Sequence, residues 1–233
     1  MAHDALKREV CRVNKEIVKA GLVTLTWGNA SGVDRDAGVL AIKPSGVDYD
    51  QLAPDDIVVL SLASGEILEG TLKPSSDTPT HLYLAQKFPE SNGIVHTHST
   101  CATSFCQAGM KLPCLGTTHA DHFFGTVPCV RALTEDEVRE AYEHNTGVAI
   151  VEAFEELGID PAQVPAVLQN GHAPFAWGAT PAKALENAIV LEECARMALM
   201  TWQLNPKAEL PRHILDKHFL RKHGPGAYYG QKN

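Results

Sequence analysis

The sequence predicts an α/β fold, a single domain whose mixed or antiparallel β-sheet lies between helices. Three observations lead to this prediction. Short β-branched runs joined by hairpin-length turns occupy the middle of the chain, helical patterns lie on both sides of them, and no linker or low-complexity segment divides the 233 residues. A doubly wound dinucleotide-binding fold is not expected, because no Gly-x-Gly-x-x-Gly or Walker sequence occurs.

Composition excludes several classes of function. A net charge of −8 argues against nonspecific nucleic-acid binding, which depends on basic surfaces. The chain opens without an apolar leader, and no apolar run approaches the roughly 20 residues of a membrane span. The 6 cysteines form no Cys-x-x-Cys pair, so we expect reduced thiols in a cytoplasmic protein.

The first half of the chain alternates between one helix and a group of strands. Apolar residues recur every three or four positions over 4–20, which predicts an amphipathic helix that ends at Gly21. Strands are predicted at 22–26, 30–33, 39–42, 57–62 and 66–68. Thr78 suits a helix N-cap and Pro79 the first helical position, so a helix is expected to run to about residue 88.

The second half carries the longer helices. A strand at 93–98 leads into a helix at 100–108, and residues 110–130 are expected to be irregular or short-stranded. Thr134 and Glu137 form a capping box for a long helix that Gly147 interrupts and Gly158 ends. Two more strands at 164–168 and 174–177 precede helices at 181–204 and 211–222.

Two histidines in the strand at 93–98 indicate a metal site. His96 and His98 stand two residues apart, so on a strand their side chains point to the same face. Neutral imidazole is the commonest protein ligand for zinc and similar metals. His172 follows the permissive pair Asn170-Gly171 at a strand end and is a candidate third ligand. The competing candidates are His81, His119 and His122.

Two similar turns indicate an anion site. They are Lys43-Pro44-Ser45-Gly46 and Lys73-Pro74-Ser75-Ser76, and each brings a cation and hydroxyl groups into a tight turn. The second turn precedes a predicted helix N-terminus, where free N–H groups and the helix dipole favour a phosphate. The alternative is a pair of ordinary surface turns rich in proline and serine.

Three further groups are candidates for acid–base chemistry. Asp77 neighbours the serines of the second turn, Asp121 stands among histidines in a loop, and Tyr229 lies in a glycine-rich tail. Each has an ordinary alternative: a helix cap for Asp77, a solvated loop residue for Asp121 and a disordered terminus for Tyr229.

These residues together resemble a known family, the class II sugar-phosphate aldolases and epimerases. The resemblance is carried by Thr24-Leu25-Thr26-Trp27-Gly28-Asn29, Ile42-Lys43-Pro44-Ser45-Gly46-Val47, Lys73-Pro74-Ser75-Ser76-Asp77-Thr78-Pro79-Thr80-His81 and Val95-His96-Thr97-His98. Two more segments are similar to the L-ribulose-5-phosphate 4-epimerases within it, namely Gly116-Thr117-Thr118-His119-Ala120-Asp121 and the end of the chain from Leu220 to Gln231.

The resemblance implies a complete set of expectations about structure. The fold would be a single α/β domain over 1–233, with a central, mainly antiparallel sheet flanked by helices. The chain would form a cyclic homotetramer with active sites between subunits, and its C-terminal tail would reach a neighbour. The substrate would be a small sugar phosphate, and neither nucleic acid nor a membrane would be a partner.

The resemblance also implies the roles of single residues. The metal, zinc or another divalent ion such as manganese or cobalt, would be bound by His96, His98 and His172, with Asp77 beside it. The substrate phosphate would be held by Asn29, Lys43, Ser45, Gly46, Ser75 and Ser76. The acid–base pair would be Asp121 and Tyr229, the latter from an adjacent subunit. Supporting positions would be Thr117, Glu143 and His218. One departure is Ala173, where the family more often has glycine.

The implied reaction is epimerisation of L-ribulose 5-phosphate at C4 to D-xylulose 5-phosphate. Simple enolisation cannot invert a carbon that is not adjacent to a carbonyl, so the C3–C4 bond would break in a retro-aldol step. The glycolaldehyde phosphate fragment would rotate and be attacked on its other face, which requires two acid–base groups on opposite sides. The alternatives are a class II sugar-phosphate aldolase, in which glutamate commonly replaces Asp77, and a noncatalytic adducin-like interaction module.

Overall fold

A computed structural model describes residues 3–228 of the chain. Within that range one sheet contains eight strands: β1 (Gly28–Asp34), β2 (Val39–Ile42), β3 (Val58–Ser61), β4 (Ile67–Glu69), β5 (Gly93–Thr97), β6 (Cys129–Val130), β7 (Ala166–Gln169) and β8 (Pro174–Gly178). Their order is β4-β3-β2-β1-β5-β8-β7-β6, and each neighbouring pair is antiparallel except β6 and β7. The predicted single α/β domain with a mainly antiparallel sheet is confirmed.

The same described range contains seven α-helices that flank this sheet. They are α1 (Asp4–Lys19), α2 (Thr78–Lys87), α3 (Thr100–Ala108), α4 (Thr117–Ala120), α5 (Glu135–Leu157), α6 (Pro181–Leu204) and α7 (Arg212–His223). None of the helices at 3–228 is both long and apolar enough to cross a bilayer. The six cysteines are free thiols, and three of them are buried.

Helices cover both faces of the sheet. Ser31 Oγ on β1 lies 2.8 Å from His81 Nδ1 on α2. A side chain at the next residue, Gly32, would collide with Val10 of α1 and Pro181 of α6. Because successive strand residues point to opposite faces, α2 lies on one face, and α1 with the start of α6 lies on the other.

An aromatic group packs on one face of the sheet, and a buried amide joins α1 to the other face. Trp177 packs between Phe88 and Phe154, with ring centroids 5.0 and 5.3 Å away. On the opposite side, the Asn14 side chain of α1 donates to the Ala30 carbonyl at 3.0 Å and accepts from the Ala30 N–H at 2.9 Å. This pair of bonds fixes α1 to the middle of β1.

The predicted strand at 22–26 is wrong. Gly21, with φ of 70°, ends α1 as expected, but the chain then forms a compact turn in which the Trp27 N–H donates to the Thr24 carbonyl at 3.1 Å. Leu25 has φ of 53°, a left-handed conformation that a strand does not contain. Leu22 is buried but Leu25 is 74% exposed, so this segment runs outside the sheet.

The predicted helix start and end at Thr134 and Gly158 are confirmed, but its interruption is misplaced. The helix breaks at Ala141, with φ of −162° and ψ of 70°, and not at Gly147. Gly147 lies inside the helix where a Cβ would come within 3.1 Å of the Tyr83 side chain. The glycine therefore permits close packing of α5 on α2.

Candidate active site

Three histidines meet at one end of the central strands. His98 directly follows β5, and His172 lies in the turn between β7 and β8, where Gly171 has φ of 69°. One ring nitrogen from each of His96, His98 and His172 lies within 4.8 Å of the others. The candidate third ligand therefore lies beside the pair.

The other candidate histidines have different surroundings. His81 is fully buried against Ser31, and the Nε2 of His119 lies 2.7 Å from the Gly125 carbonyl oxygen. His122 is half-buried, with Nδ1 3.8 Å from the carboxylate of Glu186. The three-histidine group contains none of them.

Neighbouring groups fix the orientation of the His96 ring. Its Nδ1 lies 3.0 Å from the Pro174 carbonyl oxygen, which only accepts, so Nδ1 carries the hydrogen and Nε2 keeps a free lone pair. The ring also stacks on Phe175 with centroids 4.2 Å apart. This is the arrangement expected of a metal-ligating histidine, whose other nitrogen donates to a carbonyl.

Electrostatics keep the group in the form that a metal requires. Burial lowers the pKa of His96 to about 3, and it also lowers the pKa values of His98 and His172. Burial would raise the pKa of Asp77, but electrostatic interaction with the His96 and His81 rings and a hydrogen bond from Asn29 outweigh it and lower that pKa. The site therefore presents neutral imidazoles and an ionised carboxylate at neutral pH.

The two Lys-Pro-Ser turns lie side by side. The Ser45 N–H donates to the Lys73 carbonyl at 2.9 Å, and the Ser75 N–H donates to the Lys43 carbonyl at 3.1 Å. Pro44 and Pro74 form an isolated antiparallel bridge between them. The similarity in sequence thus corresponds to a paired structure.

The two lysines of these turns are not equivalent. Lys43 is 2% exposed, and its ammonium lies 3.2 Å from the Pro44 carbonyl oxygen and 4.9 Å from the centre of the Tyr49 ring. Burial lowers the pKa of Lys43, and the charge of Asp48 partly offsets this effect. Lys73 is exposed to solvent. An anion bound beside Lys43 would stabilise its buried charge.

Main-chain donors of the two turns, 43–46 and 73–76, complete a cradle for an anion. The N–H groups of Gly46 and Ser76 make no hydrogen bond within residues 3–228, so they remain available to an anion. Gly46 has φ of 69°, and Ser76 lies just before α2. Free N–H groups at a helix N-terminus are well suited to phosphate.

One cavity of about 530 Å³ joins the two features. Its walls include every proposed metal or phosphate group: Asn29, Lys43, Ser45, Gly46, Ser75, Ser76, Asp77, His96, His98 and His172. A space of this size accommodates a small ligand. A cationic, donor-rich end therefore opens into the same space as the three imidazoles.

Asn29 links the two ends of this cavity. Its amide Nδ2 donates to the Asp77 carboxylate at 2.7 Å and to Ser75 Oγ at 3.1 Å. Asp77 precedes α2, but its side chain makes no capping bond to that helix. The Oδ1 atom of Asn29 is buried and has no hydrogen-bond partner in the described part of the chain. A hydroxyl of a bound ligand would satisfy this oxygen.

Asp121 lies outside the cavity. The Arg221 guanidinium contacts its carboxylate at 2.8 Å, and His218 Nδ1 lies 3.0 Å from it. Thr117 begins α4, and the Glu143 carbonyl accepts from the Thr80 hydroxyl. The cavity walls include none of Asp121, Thr117, Glu143 and His218. Tyr229 lies outside the described residues.

Two residues near the site were missed as candidates from the sequence. Trp27 lines the cavity with its ring 6.5 Å from His98. Tyr142 follows the break at Ala141, and its ring lies 5.9 Å from that of His172. In the sequence, Trp27 contributes only to the segment 24–29 that carries the family resemblance, with no role of its own. No local pattern marks Tyr142, because an irregular residue within a helix brings it to this position.

The donor set fits a divalent cation. It combines three imidazoles with a carboxylate nearby, which are the nitrogen and oxygen ligands that zinc accepts. The Nδ1 atom of His172 is buried without a hydrogen-bond partner within 3–228, a state that usually requires an explanation such as an ion.

Comparison with known proteins gives a consistent picture. The family model for the class II aldolase and adducin N-terminal domain matches residues 8–199. The chain is 50% identical over 228 residues to L-ribulose-5-phosphate 4-epimerase UlaF of Salmonella paratyphi B. The aligned region covers 97% of this chain and 99% of that relative. The protein of the same name from Salmonella typhi is also 50% identical over 228 residues.

Solved structures share the fold. An L-fuculose 1-phosphate aldolase superposes with a TM-score of 0.77 at 26% identity, covering 92% of this chain and 94% of that one. The L-fuculose-1-phosphate aldolase of Thermus thermophilus superposes with a TM-score of 0.65 at 24% identity, covering 88% and 98%. The second similarity concerns the fold alone.

Proposed function

The chain belongs to the class II aldolase and adducin N-terminal domain family, and from this premise we propose that it is an enzyme that epimerises L-ribulose 5-phosphate at C4 to D-xylulose 5-phosphate. The observation that carries the proposal is the single cavity in which a three-histidine group faces a cradle for phosphate. The substrate is taken from the name of the relative that is 50% identical over 97% of the chain.

His96, His98 and His172 are the proposed ligands of a zinc-type divalent ion, with Asp77 beside them. Such an ion supplies a Lewis acid for charge that develops on substrate oxygens. Other residues of the chain hold these groups in position. The Pro174 carbonyl fixes the His96 tautomer, and the Asn29 amide donates to the Asp77 carboxylate at 2.7 Å. Zinc is the preferred ion because three imidazoles with open positions are typical of catalytic zinc sites.

The substrate phosphate is assigned to the paired turns. Lys43 supplies the buried charge, Gly46 and Ser76 supply free N–H groups, and the remaining cradle residues are Asn29, Ser45 and Ser75. This end of the cavity anchors the fragment that carries C4 and C5. Glycolaldehyde phosphate is therefore retained while its aldehyde group rotates, between bond breaking and bond formation. Retention is what separates an epimerase from an aldolase.

The acid–base pair is proposed to come from a neighbouring copy. Of the described residues, Asp77 is the one carboxylate in the cavity walls, whereas Asp121 is held by Arg221 and His218 elsewhere on the same chain. We therefore assign Asp121, and not Tyr229 alone as the resemblance implies, to the cavity of an adjacent subunit in a cyclic homotetramer. Thr117, Glu143 and His218 support that shared site.

The second candidate is a class II aldolase that releases its products. The fold similarity to L-fuculose 1-phosphate aldolase supports it, but the 26% identity is well below the 50% found with the epimerase. Asp77 also favours the epimerase, because the shorter side chain is already bound to Asn29 instead of reaching towards a substrate. A noncatalytic role is disfavoured by the convergence of the three histidines.

Incubation with L-ribulose 5-phosphate tests the proposal. The zinc-loaded protein is expected to form D-xylulose 5-phosphate, followed by a coupled xylulose-phosphate assay and by NMR of the sugar carbons. Accumulation of free glycolaldehyde phosphate without D-xylulose 5-phosphate would establish the aldolase instead. His98→Asn is the matched control, and we expect it to lose bound zinc and turnover together.

A further inference from the structure

A buried carboxylate on α6 holds the first turn of α3. Glu192 is 6% exposed, which is unusual for a glutamate. Its two carboxylate oxygens accept from the Cys101 N–H at 2.8 and 3.1 Å and from the Ala102 N–H at 2.9 Å. These contacts join positions about 90 residues apart in the chain.

The contacts replace a local helix cap. The first N–H groups of a helix have no partner within the helix and are usually bonded by the side chain of the N-cap residue. Ser99 is the N-cap of α3, but its side chain makes no capping bond. Glu192 supplies the missing acceptors and places a negative charge at the positive end of the helix dipole.

This helix start lies directly beside the site. β5 ends at Thr97, α3 begins at Thr100, and His98 lies in the two-residue connection between them. The His98 ring makes no hydrogen bond with the rest of the described chain, in contrast to His96, which is held by Pro174. The direction of His98 therefore depends on the main chain at both ends of the connection.

We propose that Glu192 is a positioning residue for His98. By fixing the start of α3 against α6, its carboxylate holds the main chain after His98 so that the imidazole faces His96 and His172. The proposal rests on the proposed function, because it takes these three histidines as the metal ligands. Glu192 does not line the cavity, so its effect on the ligands is indirect.

Zinc affinity of the full-length apoprotein tests the proposal directly. Glu192→Gln keeps the size of the side chain but presents one acceptor oxygen and an NH₂ group to the two N–H donors. We expect this variant to bind zinc about tenfold more weakly than the wild type, in line with the loss caused by removing groups that orient metal ligands. The measurement is competition with a chromophoric chelator at pH 7.

A matched control separates positioning from general stability. Thr134→Ala removes the side chain that caps α5 and accepts from the Glu137 N–H at 3.3 Å, in a turn separated from the rest of α5 by the break at Ala141. It is expected to lower the melting temperature of the apoprotein while leaving zinc affinity unchanged. Glu192→Gln is expected to change both.

The outcomes are distinct. If the wild type and Glu192→Gln bind zinc equally, the positioning role is wrong and the proposed function stands. If the wild type binds no zinc, the metal site of the proposed function is wrong and this inference is overturned with it.

A second measurement needs no variant. Hydrogen exchange of the wild type should show slower exchange at the Cys101 and Ala102 amides after zinc is added, with no change at Glu137. Equal exchange at Cys101 and Ala102 with and without zinc would overturn the coupling between this helix start and the site.

Discussion

The Ser75 N–H donates a hydrogen bond of 3.1 Å to the carbonyl oxygen of Lys43. Through this bond two turns with the same Lys-Pro-Ser sequence form one structure, although about 30 residues separate them. The pairing turns Lys43 inward and leaves Lys73 in solvent. One chain thus contains both a buried cationic residue and its exposed counterpart.

Lys43→Met is expected to weaken binding of inorganic phosphate by about 10–100-fold, because a hydrogen bond to a charged group contributes about 1.5–3 kcal/mol. Lys73→Met is the matched control and should stay within about twofold of the wild type, as exposed charges contribute little. Titration calorimetry of the zinc-loaded protein with phosphate measures both. Equal losses in the two variants would contradict the assignment of Lys43 as the anion-binding lysine.

Mixed oligomers test whether Asp121 acts on a neighbouring copy. Asp121→Asn and His98→Asn should each be inactive alone. If a cavity receives Asp121 from an adjacent subunit, coexpression at equal levels should leave about one quarter of the sites intact in a cyclic assembly. The assay is conversion of L-ribulose 5-phosphate by the purified mixture. If Asp121 serves its own chain, every site carries a defect and the mixture stays inactive.

Asp121 also predicts a pH dependence of stability. Burial would raise its pKa, but hydrogen bonds from Arg221 and His218 outweigh that effect and lower it. A carboxylate with a lowered pKa stabilises the fold above its unfolded-state pKa, and this contribution is lost as pH falls through the folded-state value.

Urea unfolding at one fixed protein concentration should therefore show Asp121→Asn to be less stable than the wild type at pH 7. The difference should narrow below about pH 5, where the unfolded carboxyl begins to bind protons. Asp36→Asn, an exposed change in the turn between β1 and β2, is the control and should show no such trend. A difference for Asp121→Asn that is constant from pH 7 to about 3.5 would contradict the ion-pair account.

Asn14→Ala is expected to lower the free energy of unfolding by about 1–3 kcal/mol, the usual effect of leaving buried polar groups without partners. The change leaves the N–H and the carbonyl of Ala30 without the hydrogen bonds that the Asn14 side chain makes in the wild type. Asn205→Ala removes an exposed contact to the Lys207 N–H and should cost less than about 0.5 kcal/mol. Denaturant unfolding of both variants supplies the comparison.

Local features of the site could be predicted from the sequence because short-range geometry determines them. The closeness of His96 on β5 to His98 just after it, the permissive turn before His172 and the capping box at Thr134 each depend on only a few neighbouring positions. The same holds for the α/β fold class, which follows from where strand and helix patterns lie along the chain.

The remaining features depend on contacts between distant segments. The β-branched and apolar composition of 22–26 predicts a strand. No strand of the described chain pairs with this segment, however, and Leu25 adopts positive φ. Nothing local distinguishes Lys43 from Lys73, since the difference arises when the two turns pair. The contact between Asp121, at the end of α4, and Arg221 of α7 joins residues 100 positions apart, and no local pattern marks the break at Ala141.

The register between β1 and β5 has a consequence for how the chain can vary in length. Asn29 stands directly opposite His96 in that register. A slip of one residue would turn Asn29 to the other face of the sheet and separate it from Asp77. Deletions and insertions within either strand would therefore abolish the site, whereas the exposed tip at 36–37 of the turn after β1 can gain or lose residues without moving it.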